Sequence, residues 1–490
     1  MDSVGKQNVN LSGWRTLVIL SCLGLIVMFD ETMILPAIPD FIRDFNITYS
    51  TSSWLLSAYI IAAAVMTPIA GRLSDIYGKK KILLIVMAAY TVGIVAGRFA
   101  TNIEFMIAAR AAQGIGMAMF PIAFGIIREV LPEKKLGIGQ TIFSSTFSGG
   151  AVVGLVGGAA IIQNYGWQAT FLAILPVAIA LWFLIVKYVR VPTQSFEPGT
   201  GGSNKQTIDL KGIVALAAAI ISFLAGITFL EGNTTGYQVA GLFAASAVSV
   251  AAFVMIEKRV QSPLLDLKLM ASKLFLPPTI ILMLVSLSIF MVYLTIPIMV
   301  RSPEPLGFGG DAVAVASVQL PFMAVLLGGT IMSGFIINKV RNTRLTLFGT
   351  VISAVGFFFL FMFHSTTEMV SVGLGILAAG LSLSMTGAFN VILVSVPMQM
   401  TGIALGMTLL LNLVGMSVGP ALAGIFQEMN QGSVPGTSEM FPTEVAYNMI
   451  FITAALVSLA SVAMALSVVR RKVAPSMTAG EQQGSGTAGH

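Results

Sequence analysis

Fourteen apolar segments dominate the chain, each about as long as a helix needs to be to cross a bilayer, roughly 20 residues. They fall at 16–39, 52–71, 82–100, 105–127, 138–162, 168–189, 212–230, 238–256, 274–300, 312–337, 345–363, 369–396, 402–425 and 446–469. Lipid offers no partner for backbone N–H and C=O groups, so each segment must satisfy its own by folding as a helix. This restricts the chain to an all-α integral membrane protein with fourteen spans. Composition agrees: 10% of residues are charged, where a soluble protein carries about 25%.

Several function classes fall away on the same reading. Cys22 is the single cysteine, which excludes an internal disulfide framework, and the two histidines, His364 and His490, are too few for a zinc cluster or a histidine-based triad. No Gly-x-x-x-x-Gly-Lys-Ser/Thr loop occurs, so ATP does not drive this chain. The expectation is no enzyme, no cofactor and no metal. The polar stretches 191–211, 426–445 and 473–490 read as a linker, a loop and a disordered tail, too short for a soluble signalling domain.

The net charge of +6 is a matter of topology, not of nucleic acid. With the N-terminus in the cytoplasm, 23 of the 27 Lys and Arg fall on cytoplasmic segments, as the positive-inside rule requires. Arg43 and Arg301 fall outside, and Arg98 and Arg110 within spans. The reverse orientation breaks the rule at every loop. An even span count returns the C-terminus to the cytoplasm, where 470-RRK-472 stops the last span. The reading is a multi-pass protein of the plasma membrane with both termini cytoplasmic.

Span 1 contains the costliest feature, two adjacent carboxylates in 25-LIVMFDETMILPAIP-39. A charge at this depth needs a partner or water. Arg110 in span 4 lies roughly 8 Å from its outer end, and Asp30 and Glu31 roughly 12 Å from theirs, at 1.5 Å per residue. Adjacent residues on a helix point about 100° apart. The expectation is that one of Asp30 and Glu31 faces Arg110 and holds span 1 in place, while the other faces the cavity and binds a proton and a substrate in turn. Gln113 shares a helix face with Arg110. Gln319, Asn390 and Asn412 are the polar candidates in the later spans, each able to bind ligand or to join helices. Trp54, Tyr59, Phe29 and Phe120, with Met28, Met117 and Met119, are candidates for an apolar lining, or for packing.

Four stretches carry a family resemblance. The loop 71-GRLSDIYGKKK-81 resembles motif A of the major facilitator superfamily at Gly71, Asp75, Gly78, Lys79 and Lys80, with Ile76 where the family has a basic residue. Gly71 suits a close helix approach, and Asp75 suits a helix N-terminus. The resemblance makes that terminus the start of span 13, near Thr401, with a gating role. The stretch 110-RAAQGIG-116 resembles motif B. The run 149-GGAVVGLVGG-158 is similar to motif C of the drug–proton antiporters at Gly149, Gly157 and Gly158, with Val153-Gly154 in place of Gly-Pro. Asp30, Thr32 and Pro39 match the span-1 pattern of the fourteen-span drug–proton antiporters, which implies the Arg110-side or coupling role for Asp30 and leaves Glu31, at a variable position, as the cation-sensing extra acid.

An internal echo supports the resemblance. The stretch 334-GFIINKVRNTR-344 is a decayed copy of the loop after span 2, and 415-GMSVGPALAG-424 is similar to span 5 with Gly-Pro retained. Spans 9–14 thus repeat spans 1–6, the two six-helix halves of the superfamily. The division is an N-terminal half over 1–190, a linker with two inserted spans over 191–273, a C-terminal half over 274–472 and a tail over 473–490. The resemblance implies proton-coupled efflux of lipophilic or cationic small molecules by alternating access, by a monomer in contact with lipid. A proton-coupled symporter or facilitator importing an organic solute is the alternative. A receptor or enzyme that has lost transport is a third reading, with no motif behind it.

Overall fold

A computed structural model describes residues 2–191, 210–229, 236–260, 267–336, 340–396, 401–436 and 439–470. Helix α1 (Asp2–Met33) passes through a 3₁₀ turn (Leu35–Ala37) into α2 (Ile38–Phe45). Pro36 and Pro39 lie at the starts of these two pieces. Proline lacks the N–H that would continue the helical ladder, so the first span bends here instead of running straight to 39. Helix α3 (Tyr49–Tyr77) starts at Thr48, whose hydroxyl accepts the Thr51 N–H at 3.1 Å. Gly78, at φ +95°, turns the chain directly into α4 (Lys79–Arg98); few other residues adopt that angle.

The fourth span is also broken. A 3₁₀ turn (Ile115–Ala118) separates α5 (Ile103–Gly114) from α6 (Met119–Val130). Helices α7 (Glu133–Tyr165) and α8 (Gln168–Tyr188) complete the first half, followed by the inserted α9 (Leu210–Phe229) and α10 (Gly236–Glu257). After the short α11 (Leu267–Met270) come α12 (Leu276–Arg301), α13 (Ala312–Ile336), α14 (Asn342–Met362), α15 (Thr367–Ser395) and α16 (Thr401–Met429). A small antiparallel hairpin of β1 (Gln431–Ser433) and β2 (Met440–Pro442) leads into α17 (Glu444–Arg470). Thirteen helical stretches are long and apolar enough to cross a membrane, and the described apolar part of α9, Lys211–Phe223, is shorter. With α9 the count is the expected fourteen, two six-helix halves and two inserted helices. The tail 473–490 and the linker 192–209 lie outside the described residues.

Within each half, glycines let two helices meet backbone to backbone. In α7, a Cβ on Gly150 would lie 2.7 Å from the Leu25 carbonyl oxygen, and one on Gly158 2.6 Å from the Met33 Cα. In α16, a Cβ on Gly419 would lie 2.5 Å from the Leu287 carbonyl oxygen of α12. The fifth span is thus locked on the first, and its repeat on the first span of the second half. The inserted α9 lies along the seam between the halves: Ile220 packs with Ile61 of α3 and Ala421 of α16.

The contacts that join the halves gather in mid-span and at the face opposite the chain ends. Ser57 donates to the Ser417 carbonyl at 2.9 Å. Ala312 N–H donates to Gln163 Oε1 at 3.2 Å. Arg301 reaches across to Asp40, and Tyr49 N–H to Glu428 Oε2 at 2.9 Å.

Candidate functional site

Asp30 on α1 and Arg110 on α5 are both fully buried, with Arg110 Nη1 at 3.5 Å from Asp30 Oδ2. The guanidinium is held from three other directions. Its Nε donates to the Leu55 carbonyl at 3.1 Å, its Nη1 to Gln113 Oε1 at 2.7 Å, and its Cζ stands 4.5 Å over the Tyr59 ring. Asp30 is held by charge alone: neither of its carboxylate oxygens meets a hydrogen-bond donor among the described residues. The pair is therefore lopsided. Arg110 has three contacts that do not involve Asp30, while its Nη2 has no hydrogen-bond partner among the described residues.

The glycines of 110-RAAQGIG-116 explain how the cation reaches this depth. Gly114 lies directly against the Tyr59 carbonyl of α3. A Cβ on Gly116 would lie 2.7 Å from the Tyr90 ring. Side chains at either position would push α5 away from α3 and α4, and Arg110 away from Leu55. The 3₁₀ turn that follows is a geometry often found at hinges.

Glu31 points elsewhere, as neighbours on a helix must. It is half-buried. It lies within electrostatic reach of Tyr59 in its own half and of Tyr293 on α12 in the other. Tyr293 stacks on Phe290, with centroids 5.3 Å apart, and meets the Phe322 ring of α13 at 5.8 Å. Its hydroxyl donates to Met323 Sδ at 3.6 Å. Gln319, one turn before Met323, is buried with no hydrogen bond to its Oε1 among the described residues. Glu31 thus lies within electrostatic reach of Arg110 and Tyr59 in its own half and of Tyr293 in the other.

The remaining candidates separate. Asn412 joins helices, its Oδ1 accepting from the Ser286 hydroxyl of α12. Asn390 donates to the Thr386 carbonyl of its own helix at 2.8 Å, so its amide does not join helices. Thr32 donates to the Ala151 carbonyl of α7 at 3.0 Å, which fixes α1 two residues past Asp30. Of the glycines in the fifth span, Gly154 and Gly158 press on α1. Gly149 and Gly157 make only ordinary or slightly tight contacts, 3.7 Å from Leu25 and 3.3 Å from Phe29. Gly150 completes the ridge at spacing four. That spacing was visible in the sequence, in a register one residue away from the antiporter motif. Phe120 packs in the core, 4.0 Å from the Phe147 centroid, and Trp54 lies in the seam with α9.

The loop after α3 is tied within its own half. Lys79 Nζ pairs with Glu129 Oε1 at 2.7 Å, and Lys80 Nζ donates to the Val186 carbonyl at 2.8 Å. Gly71, expected to allow a close helix approach, has nothing within 4 Å of where a Cβ would stand. The side chain of Asp75 lies outside what the structure describes, as does Asn338. Three further partners had no sequence motif: Tyr59, Tyr293 and the Asp40–Arg301 pair.

Comparison with known proteins places this arrangement. Residues 20–420 match the Major Facilitator Superfamily. The chain is 28% identical to Multidrug resistance protein 3 of Bacillus subtilis over 69% of its own length and 63% of that protein's. It is 24% identical to the Tetracenomycin C resistance and export protein of Streptomyces glaucescens, over 86% and 77%. With the Multidrug efflux pump LfrA of Mycolicibacterium smegmatis it shares 25% identity over 78% and 75%. Among solved structures, a bacterial homologue of the human lysosomal transporter Spinster aligns with TM-score 0.64 and 14% identity, covering 94% of this chain and 97% of that one. The xylose transporter XylE of E. coli aligns with TM-score 0.59 and 13% identity, covering 92% and 97%. The chain belongs to the Major Facilitator Superfamily, a multi-pass membrane protein with two six-helix halves and two inserted helices.

Proposed function

We propose that the protein is a proton-driven exporter of lipophilic, cationic small molecules, working as a monomer by alternating access. The observation that carries this reading is the division of labour between two adjacent carboxylates. Asp30 is paired with the buried Arg110, and Glu31 lies within electrostatic reach of Tyr293, which stacks on Phe290, in the other half. A carboxylate opposite aromatic rings suits a cation with apolar bulk, because both the charge and the ring faces attract it. Competition between a proton and such a cation for Glu31 couples the two fluxes in opposite directions. The relatives named for multidrug resistance and drug export support the same substrate class. The basic loops support a plasma-membrane protein with both termini cytoplasmic, so that export runs away from the chain ends.

Reconstitution into proteoliposomes with an imposed pH gradient tests this. A lipophilic fluorescent cation should move against the proton gradient. Movement of the cation in the same direction as protons would instead support the symport alternative, and movement indifferent to pH would overturn proton coupling.

A further inference from the structure

Helices α3 and α16 run antiparallel along the seam between the halves. At the face opposite the chain ends, the N-terminus of α3 meets the C-terminal end of α16. Gly424 is the contact point: a Cβ there would lie 2.9 Å from the Ser50 Cα and 3.1 Å from the Tyr49 carbonyl oxygen. Four residues later, on the same face of α16, Glu428 Oε2 accepts the Tyr49 N–H at 2.9 Å. Tyr49 is the first residue of α3, so this carboxylate from one half satisfies a free N–H at a helix start in the other, at the positive end of its dipole.

The same pattern stands at the other end of α3. Gly71 and Asp75 are also four residues apart, and Asp75 is two residues from the end of α3 as Glu428 is one residue from the end of α16. Gly71 has open space where Gly424 is pressed against backbone. The motif of a glycine and a carboxylate one turn later thus occurs twice, once per half, on two antiparallel helices. At one face it is engaged; at the other the glycine is free.

We infer that Gly424 and Glu428 form a second gate, the counterpart at the opposite face of the Gly71 and Asp75 pair. The Glu428 cap holds its face shut, the likeness in sequence assigns the Gly71 and Asp75 pair to the opposite face, and closure of the two faces is mutually exclusive. This rests on alternating access but not on what is carried. The 550 Å³ cavity bounded by Thr48, Tyr49, Arg301, Glu428 and Glu439 lies on the path that opens when the Glu428 cap breaks.

The test uses the full chain in membranes with Cys22→Ser and Ser53→Cys. Ser53 is 1% exposed on α3, and its hydroxyl bonds only within its own helix, to the Ser50 carbonyl. A membrane-impermeant maleimide, added from the side opposite the chain ends, reads how often that face opens. Glu428→Ala should raise the labelling rate about five-fold, the worth of one N-terminal cap. Glu428→Gln, which can still accept the N–H, should fall between. Asp75→Asn should lower labelling, and the double variant should return toward the parent. The labelling requires no substrate, so it stands or falls apart from the proposed cargo. Unchanged labelling in well-folded Glu428→Ala and Glu428→Gln, or a shift of both sites in the same direction, overturns the inference.

Discussion

Arg301 grips Asp40 across the two halves with two hydrogen bonds, 2.5 Å from Nη1 to Oδ2 and 2.8 Å from Nη2 to Oδ1, and a third at 3.0 Å to the Pro36 carbonyl. Both side chains are mostly shielded, at 18% and 10% exposure. The fork geometry makes this pair strong for its setting. It also joins the end of α12 to the bend in α1, ten residues beyond Asp30.

Arg301→Gln should therefore weaken closure of this face by about 2 kcal/mol, the usual worth of a hydrogen bond to a charged group. Spin labels placed on α2 and on the β1–β2 hairpin should report a longer distance between the halves. The exchange Asp40→Arg with Arg301→Asp should restore much of the loss. Equal distances in parent and single variant would show the pair to be incidental.

Asp30→Asn loses no hydrogen bond but leaves the buried Arg110 charge without its counter-ion, so it should lower the melting midpoint. It should slow transport by loosening α1 from α5, while the proton response carried by Glu31 remains. Arg110→Gln should do worse, since it also removes the bonds to Leu55 and Gln113. Thermal melting in detergent separates the two: a lower midpoint for Arg110→Gln than for Asp30→Asn is expected.

Glu31→Gln should discriminate by charge. Binding of a lipophilic cation should fall about ten-fold or more, for loss of a charge worth at least 1.4 kcal/mol. Binding of a neutral drug of similar size should change little. Binding measured by tryptophan fluorescence on both ligands checks this, and equal losses for the two would assign Glu31 a structural role.

Gly154→Ala should cost about 1–3 kcal/mol, because an added methyl meets the Phe29 carbonyl oxygen at 2.5 Å. Gly149→Ala, which meets only the end of the Leu25 side chain at 3.7 Å, should be nearly neutral. The difference is read as two melting curves. If Gly149 proves the more sensitive, α7 packs on α1 in the register of the antiporter motif rather than the register seen.

The fold was legible because lipid imposes one rule on every span, and because the repeat of the fifth span in the thirteenth exposes two halves. That a span-1 carboxylate pairs with Arg110 was legible from depth, and that it is Asp30 from the family pattern. The bend at Pro36 and Pro39 was written in two prolines, yet the apolar run conceals where the helix stops. Tyr59 was legible only as a lining or packing candidate, not as the ring under Arg110, and Tyr293 was not legible, since an aromatic residue in an apolar span carries no sign of which way it faces. Asp40, Arg301 and Glu428 lie near helix ends, where charge is ordinary. Only their meeting across the halves gives them meaning, and sequence distances of 261 and 379 residues hide it.

The placement of charge also has an electrical consequence. Deep in the described spans, every ionisable acid or base, Asp30, Glu31 and Arg110, belongs to the first half. When one half tilts against the other in a polarised membrane, the voltage does work on that half alone, about 2.3 kcal/mol per charge for a full crossing of 100 mV. Asp30 and Arg110 cancel as a pair. The net charge that the field acts on is then set by Glu31 and what it holds. Bearing a proton or a monovalent cation, the carrier turns over without electrical work. Bearing neither, it carries one negative charge through part of the field. On the proposed exchange of cation for proton, membrane potential therefore acts only on a slip in which Glu31 crosses empty, and leaves the coupled passages to the chemical gradients.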